Sequence, residues 1–164
     1  MSVVKTLIFT VLVPGSVTIL IPRWLLSGEA SSSIGSLRLI GSVPILVGVA
    51  IYLWCAWDFA TFGKGTPVVF DPPKVLVARG LYRFVRNPMY VGILSILFGE
   101  AALFASLRLT EYAAVVALIF HTFVVLYEEP ALGKQFGESY QNYYAQTPRW
   151  FPRLKSAANL LLGF

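Results

Sequence analysis

The stretch Tyr112-Ala113-Ala114-Val115-Val116-Ala117-Leu118-Ile119-Phe120-His121-Thr122-Phe123-Val124-Val125-Leu126-Tyr127, closed by Glu128-Glu129-Pro130, decides how this chain is read. It is almost unbroken apolar sequence with a tyrosine at each end, where a membrane interface places tyrosines. A spanning helix needs roughly 20 mostly apolar residues to cross about 30 Å of hydrocarbon. The segment therefore reads as a short span, completed by tilt, bilayer thinning or extension past Glu128. Three further stretches share its character. Residues 3–21 carry only Lys5 as a charge and Pro14-Gly15 as an expected kink. Residues 39–57 contain Pro44 and end in Tyr52, Trp54 and Trp57. Residues 90–107 contain one acid, Glu100. The expectation is an all-α, polytopic membrane protein with four transmembrane helices, at about 3–21, 39–57, 90–107 and 112–127, in one domain over 1–164.

Composition agrees. Of 164 residues 57% are hydrophobic and 13% charged, with a mean hydropathy of +0.71, whereas soluble domains carry about 25% charged residues. A disordered chain, a nucleic-acid module and an ordinary water-soluble enzyme are thereby excluded. Cys55 is the only cysteine, so neither an internal disulfide nor a cysteine-based zinc site is expected, and no metal site is assigned. Ten Lys and Arg residues fall in the N-terminus, the 58–89 loop and the C-terminal tail, against three (Arg23, Arg38, Arg108) on the opposite side. Basic residues concentrate on the cytoplasmic side. Both termini are accordingly expected there, in a bacterial inner membrane. The first stretch lacks a small-residue cleavage site and reads as a span, not a signal peptide.

Two cytoplasmic segments, 60–90 and 128–152, hold the informative residues. Gly63-Lys64-Gly65 lacks the spacing of a phosphate-binding loop. Pro67, Pro72 and Pro73 favour extended chain. Asn87-Pro88 suits the cap and first position of a helix, whose free N–H groups favour an anion. From Pro88 the chain rises, turns in the four residues 108–111 and descends to Glu128. Arg86-Asn87 and Glu128-Glu129 thus return to one leaflet. Successive helical residues point about 100° apart, so one acid can face a pocket while the other meets a base such as Arg86. Beyond Pro130, the spacing of Leu132, Phe136, Tyr140 and Tyr143 predicts an amphipathic helix, ended by an interfacial anchor at 148–152. Glu100 and His121 are ionisable residues at membrane depth on adjacent spans, open to two readings, proton transfer or helix-to-helix hydrogen bonding. Cys55 reads as packing.

The run Leu76-Val77-x-x-Gly80-x-Tyr82-x-x-x-Arg86-Asn87-Pro88-x-Tyr90-x-Gly92 resembles the signature of the isoprenylcysteine carboxyl methyltransferase family. Glu128-Glu129, followed by Phe136-Gly137-x-x-Tyr140-x-x-Tyr143, resembles that family's C-terminal motif. The likeness covers about residues 60–152, and the related phospholipid methyltransferases share the plan. It implies an integral-membrane enzyme using S-adenosylmethionine, with S-adenosylhomocysteine as product. The cofactor pocket would be cytoplasmic and closed by the C-terminal segment. Carried over by position, the cofactor-binding residues would be Lys74, Val75, Leu76, Val77, Tyr82, Arg86, Asn87, Pro88, Met89, Tyr90, Glu128 and Glu129. Asn87 stands where eukaryotic members have histidine. Val124 stands where the isoprenylcysteine enzymes place an arginine for the substrate carboxylate, which points to a less anionic acceptor, a lipid or isoprenoid-like small molecule. The implied partners are the bilayer and that acceptor, with no nucleic acid. Two alternatives are an NADPH-dependent membrane reductase of the sterol-reductase type, similar in its C-terminal helices, and a non-catalytic membrane scaffold.

Overall fold

The computed structural model describes residues 8, 10, 12–27, 36–63, 76 and 78–153. All regular structure among them is helical. The elements are α1 (Leu12–Leu26), α2 (Ser42–Asp58), α3 (Pro88–Phe104), α4 (Leu107–Phe123), α5 (Glu129–Phe136) and α6 (Glu138–Gln146). A 3₁₀ stretch, Ser36–Gly41, leads into α2, and a wide π turn, Phe59–Gly63, follows it.

Two continuous helices are long and apolar enough to cross a membrane: Leu39–Phe62, with mean hydropathy 2.1, and Leu107–Phe136, with 1.9. The core helix of a soluble protein would be mostly buried. Here 22% of each apolar window is buried inside the protein, and Leu46, Leu53, Trp54, Trp57, Leu118 and Ile119 lie exposed on its outside. That surface is matched to hydrocarbon. Helices α1 and α3 are apolar but shorter.

Helix α3 is the centre of the bundle, packed most extensively on α2 and next on α4. The α2–α3 crossing is made by glycines. A Cβ on Gly48 would sit 2.4 Å from the Gly92 carbonyl oxygen, and one on Gly41 would sit 2.7 Å from that of Gly99. Each seven-residue step down α2 meets a seven-residue step up α3, so backbone lies against backbone, as small residues permit between membrane helices. Continuing the step reaches Cys55 and Val85, both buried. The rest of the core is Tyr52, Tyr82, Met89, Ile93, Leu97, Ala113 and Val116. The first helix is tied in by hydrogen bonds, Thr10 Oγ1 with the Tyr52 hydroxyl at 2.9 Å and the Tyr112 hydroxyl to the Val17 carbonyl at 3.0 Å.

The chain departs from the sequence expectation at its turns. Residues 108–111, expected as the α3–α4 turn, are the first turn of α4. The chain instead reverses at Ala105 (φ 48°) and Ser106, whose hydroxyl caps α4 by accepting from Leu109 N at 3.3 Å. Pro22, one residue beyond the first expected span, lies inside α1, and Pro130 lies in α5. Both follow π turns, Ser16–Leu20 and Val124–Glu128, in which the wider hydrogen-bond ladder accommodates a residue without an N–H. The single tail helix expected after Pro130 is two, because Gly137 takes φ 53° between them. Its predicted stripe still faces inward: Tyr140 is buried and Leu132, Phe136 and Tyr143 are half-buried, while Lys134, Gln135, Glu138 and Gln141 are exposed.

Candidate functional site

Helix α3 begins and α4 runs out at the same end of the bundle, and there the polar residues gather. Glu128 and Glu129 occupy consecutive positions, so their side chains diverge. Glu128 turns toward α3, where the Tyr90 hydroxyl donates to Oε2 at 3.0 Å. Glu129 meets two guanidinium groups. Arg149 forks onto it, Nε to Oε1 at 2.8 Å and Nη2 to Oε2 at 2.9 Å, and Arg86 Nη1 lies 3.0 Å from Oε1. Hydrogen bonds to Glu129 raise the Arg149 pKa further. Arg86 is almost wholly buried and stacks on the Tyr144 ring, 3.8 Å from its centroid.

The segment after α6 straps across this cluster. The Arg86 backbone N–H donates to the Pro148 carbonyl at 2.8 Å, and the Asn87 side-chain amide to the Arg149 carbonyl at 3.3 Å. Asn87 does occupy the cap position of α3 with Pro88 after it, but its side chain makes no capping bond. It holds the strap instead. The Tyr143 hydroxyl donates to the Tyr82 carbonyl at 2.7 Å, and Trp150 Nε1 donates to His121 Nδ1 at 3.2 Å. Burial pushes the phenols of Tyr82 and Tyr143 above the usual range. A cleft of about 440 Å³ opens beside the cluster, lined by Leu76, Ala78, Arg83, Phe84, Ser139, Asn142, Tyr143, Gln146 and Thr147.

Of the residues singled out from sequence, Tyr82, Arg86, Asn87, Pro88, Met89, Tyr90, Glu128 and Glu129 share this end of the molecule, and Leu76 lines its cleft. Lys74, Val75 and Val77 lie outside the described residues, as do Pro67, Pro72 and Pro73. Arg86 and Glu129 engage each other and the strap, which leaves Glu128 as the acid turned inward. Glu100 and His121 are not brought together. Glu100 lies towards the far end of α3, with Oε2 buried and unpartnered. His121 is exposed and bonds to the strap, not to a neighbouring span. From the α3–α4 turn, helical rise separates the two by about 15 Å along the bundle.

One residue went unnoticed in the sequence. Asp58, at the end of α2, is 4% exposed and faces the Arg79-Gly80 turn. Its signal was present: an acid directly after a long apolar stretch, one helical turn from Cys55.

The chain belongs to the phospholipid methyltransferase family, whose model matches residues 37–139. It is similar to the cobalt-zinc-cadmium resistance protein CzcN of Cupriavidus metallidurans, 29% identical over 115 residues, covering 70% of this chain and 49% of that protein. It is likewise similar to the nickel-cobalt-cadmium resistance protein NccN of Alcaligenes xylosoxydans xylosoxydans, 28% identical over 119 residues, covering 73% and 51%. The chain spans about half the length of the curated relatives it matches. No solved structure matches it.

Proposed function

We propose that this membrane protein is a methyltransferase that uses S-adenosylmethionine to methylate a lipophilic acceptor, a lipid or an isoprenoid-like small molecule. Four helices would span a bacterial inner membrane, with both termini and the Glu128 cluster on the cytoplasmic side. The observation that carries the reading is the pairing of Tyr90 with Glu128 beneath a strap held by Glu129, Arg86 and Arg149.

The donor set fits the cofactor. It has ribose hydroxyls and an amino group that need acceptors, and Tyr90 engages only Oε2 of the inward-facing Glu128 carboxylate, leaving Oε1 for a charge-assisted bond. When bound, the cofactor supplies an electrophilic methyl on a sulfonium whose charge disappears on transfer, chemistry that a dry and well-oriented site promotes. Glu128 would orient the donor, Tyr90 would aim Glu128, and the Arg149–Glu129–Arg86 cluster would hold the strap shut and exclude water. The acceptor would enter from the bilayer. Val124 is fully buried and supplies no charge for a carboxylate, in keeping with a less anionic acceptor than a prenylcysteine.

Calorimetry on protein purified in detergent tests the reading. S-adenosylhomocysteine should bind, and Glu128→Ala should weaken it about 10- to 100-fold, the worth of a charged hydrogen bond at about 1.5–3 kcal/mol. Undiminished affinity in the variant would remove Glu128 from the site. Displacement by NADPH, with no response to S-adenosylmethionine, would make the chain a reductase, and silence towards both would make it a scaffold. The relatives' names concern metal resistance. A part for this chain in such resistance would run through the lipid it methylates.

A further inference from the structure

The strap after α6 does not stay on the polar end of the bundle; it continues down the outside of α4. Its first ties are at that end, the Arg86 N–H to the Pro148 carbonyl at 2.8 Å and the fork of Arg149 on Glu129. One residue further on, Trp150 Nε1 donates to His121 Nδ1 at 3.2 Å, with the two rings 6.1 Å apart and tilted by 34°. His121 and Glu129 belong to one continuous helix, Leu107–Phe136, and stand two turns apart on it. Adjacent strap residues therefore grip the helix at two levels, Arg149 at its polar end and Trp150 within its apolar length.

The face that Trp150 meets is the outer one. Leu118, one turn before His121, is 66% exposed and Leu126 72%; His121 and Thr122 are exposed beside them. Residues 107–127 extend about 30 Å as a helix, the thickness of the hydrocarbon layer, and Tyr127 closes them where an interface places a tyrosine. His121 then lies about 9 Å inside that boundary by helical rise. An ionisable ring on a lipid-facing surface is costly, and so is an indole N–H with no acceptor there. The Trp150–His121 bond answers both. Phe151, next in the strap, is 83% exposed, more than any other large apolar residue described. In water that ring would forfeit the whole gain of burial, whereas acyl chains supply it. Arg149 and the exposed Arg153 flank the two rings, an arrangement of apolar tip and cationic shoulders that suits hydrocarbon below and anionic headgroups above.

We propose that the strap is a membrane-inserted element whose partner is a phospholipid leaflet. Its Trp150–Phe151 tip lies among the acyl chains on the Glu128 side, His121 pins it at that depth, and Arg153 stays at the level of the phosphates. The leaflet thereby joins Glu129 and Asn87 in holding the strap over the polar cluster. His121 gains a use that neither proton transfer nor a bond between spans gave it. The inference stands on helix length, exposure and hydrogen bonding, and is independent of the methyltransferase reading.

The test uses the full chain carrying Phe151→Cys with a nitroxide spin label, reconstituted in liposomes of phosphatidylcholine and phosphatidylglycerol. Cys55 is fully buried and should take no label, which the unsubstituted protein checks. Collisions of the nitroxide with oxygen, which concentrates among acyl chains, are compared with collisions with a neutral nickel chelate held in the water on both sides. Leu118→Cys, on the outside of α4, and Gln141→Cys, on the exposed face of α6, give the two reference signals. Oxygen should exceed nickel at 151, as at 118, with the order reversed at 141. His121→Leu leaves the indole N–H without its acceptor, so the label at 151 should shift towards nickel; His121→Gln keeps an acceptor and should hold the native ratio. Nickel exceeding oxygen at 151 overturns the proposal. So does an immobilised label that neither reagent reaches, which would place the tip against protein, or a ratio at 151 that His121→Leu leaves unmoved. No cofactor enters the measurement, so this result and the S-adenosylhomocysteine binding result fail separately.

Discussion

Removing Glu129 and removing Arg149 should have unequal costs, although they are partners in one ion pair. Glu129 Oε1 serves two cations, Arg149 Nε at 2.8 Å and Arg86 Nη1 at 3.0 Å. The Arg86 side chain is 8% exposed, that of Glu129 11% and that of Arg149 26%. Glu129→Ala leaves Arg86 as a buried cation stacked on the Tyr144 ring with its carboxylate partner gone, and stranding a buried charge costs about 3–5 kcal/mol. Arg149→Ala removes two charge-assisted bonds but leaves Glu129 paired with Arg86. Discounted for Arg149's exposure, the loss should be about 1–2 kcal/mol. The gap of about 2 kcal/mol is measurable by reversible SDS unfolding in mixed micelles, followed by tryptophan fluorescence. The double variant should cost little more than Glu129→Ala alone, since Arg149 has no carboxylate left to bind. An Arg149→Ala cost equal to or above that of Glu129→Ala, or strictly additive behaviour, would refute the arrangement in which Arg86 is the cation that depends on Glu129.

Two further outcomes follow from distances already given. Gly48→Val places carbon 2.4 Å from the Gly92 carbonyl oxygen, so α2 and α3 must separate; the variant should lose at least about 1–3 kcal/mol in the same unfolding assay, with Ala milder than Val. Tyr90→Phe deprives Glu128 of its donor and should weaken S-adenosylhomocysteine binding about fivefold by calorimetry, the worth of roughly 1 kcal/mol, a smaller loss than Glu128→Ala.

Much of this molecule could be read from its sequence, for reasons that differ from place to place. The approach of Arg86 to Glu129 follows from helical rise and a short reversal, and needs no knowledge of packing. The position of the reversal was harder, because Arg108 and Glu111 look like turn residues while Ser106, the actual cap, is inconspicuous after an apolar run. The strap was hidden for another reason. Asn87 looks like a helix cap, and nothing local shows that its amide will reach the Arg149 carbonyl, 62 residues on. Gly41, Gly48, Gly92 and Gly99 carry no signal singly; their equal spacing on two segments becomes meaningful only once those segments are known to touch. Asp58 was overlooked because an acid after an apolar stretch passes for the polar boundary of a span.

The glycine seam has a consequence at a distance. With main chain locked against main chain at two levels, neither helix can slide or roll without collision, and the seam works as a ruler. Gly41 lies about 25 Å along the helix from the end of α2 by helical rise, yet it helps set how that end, where Phe59 meets the Tyr82 ring, is aligned. A bulky residue introduced at that remote end would therefore surface as misalignment at the Glu128 end before it surfaced as unfolding, and a survey of damaging substitutions would find that end guarded from the far end of the bundle.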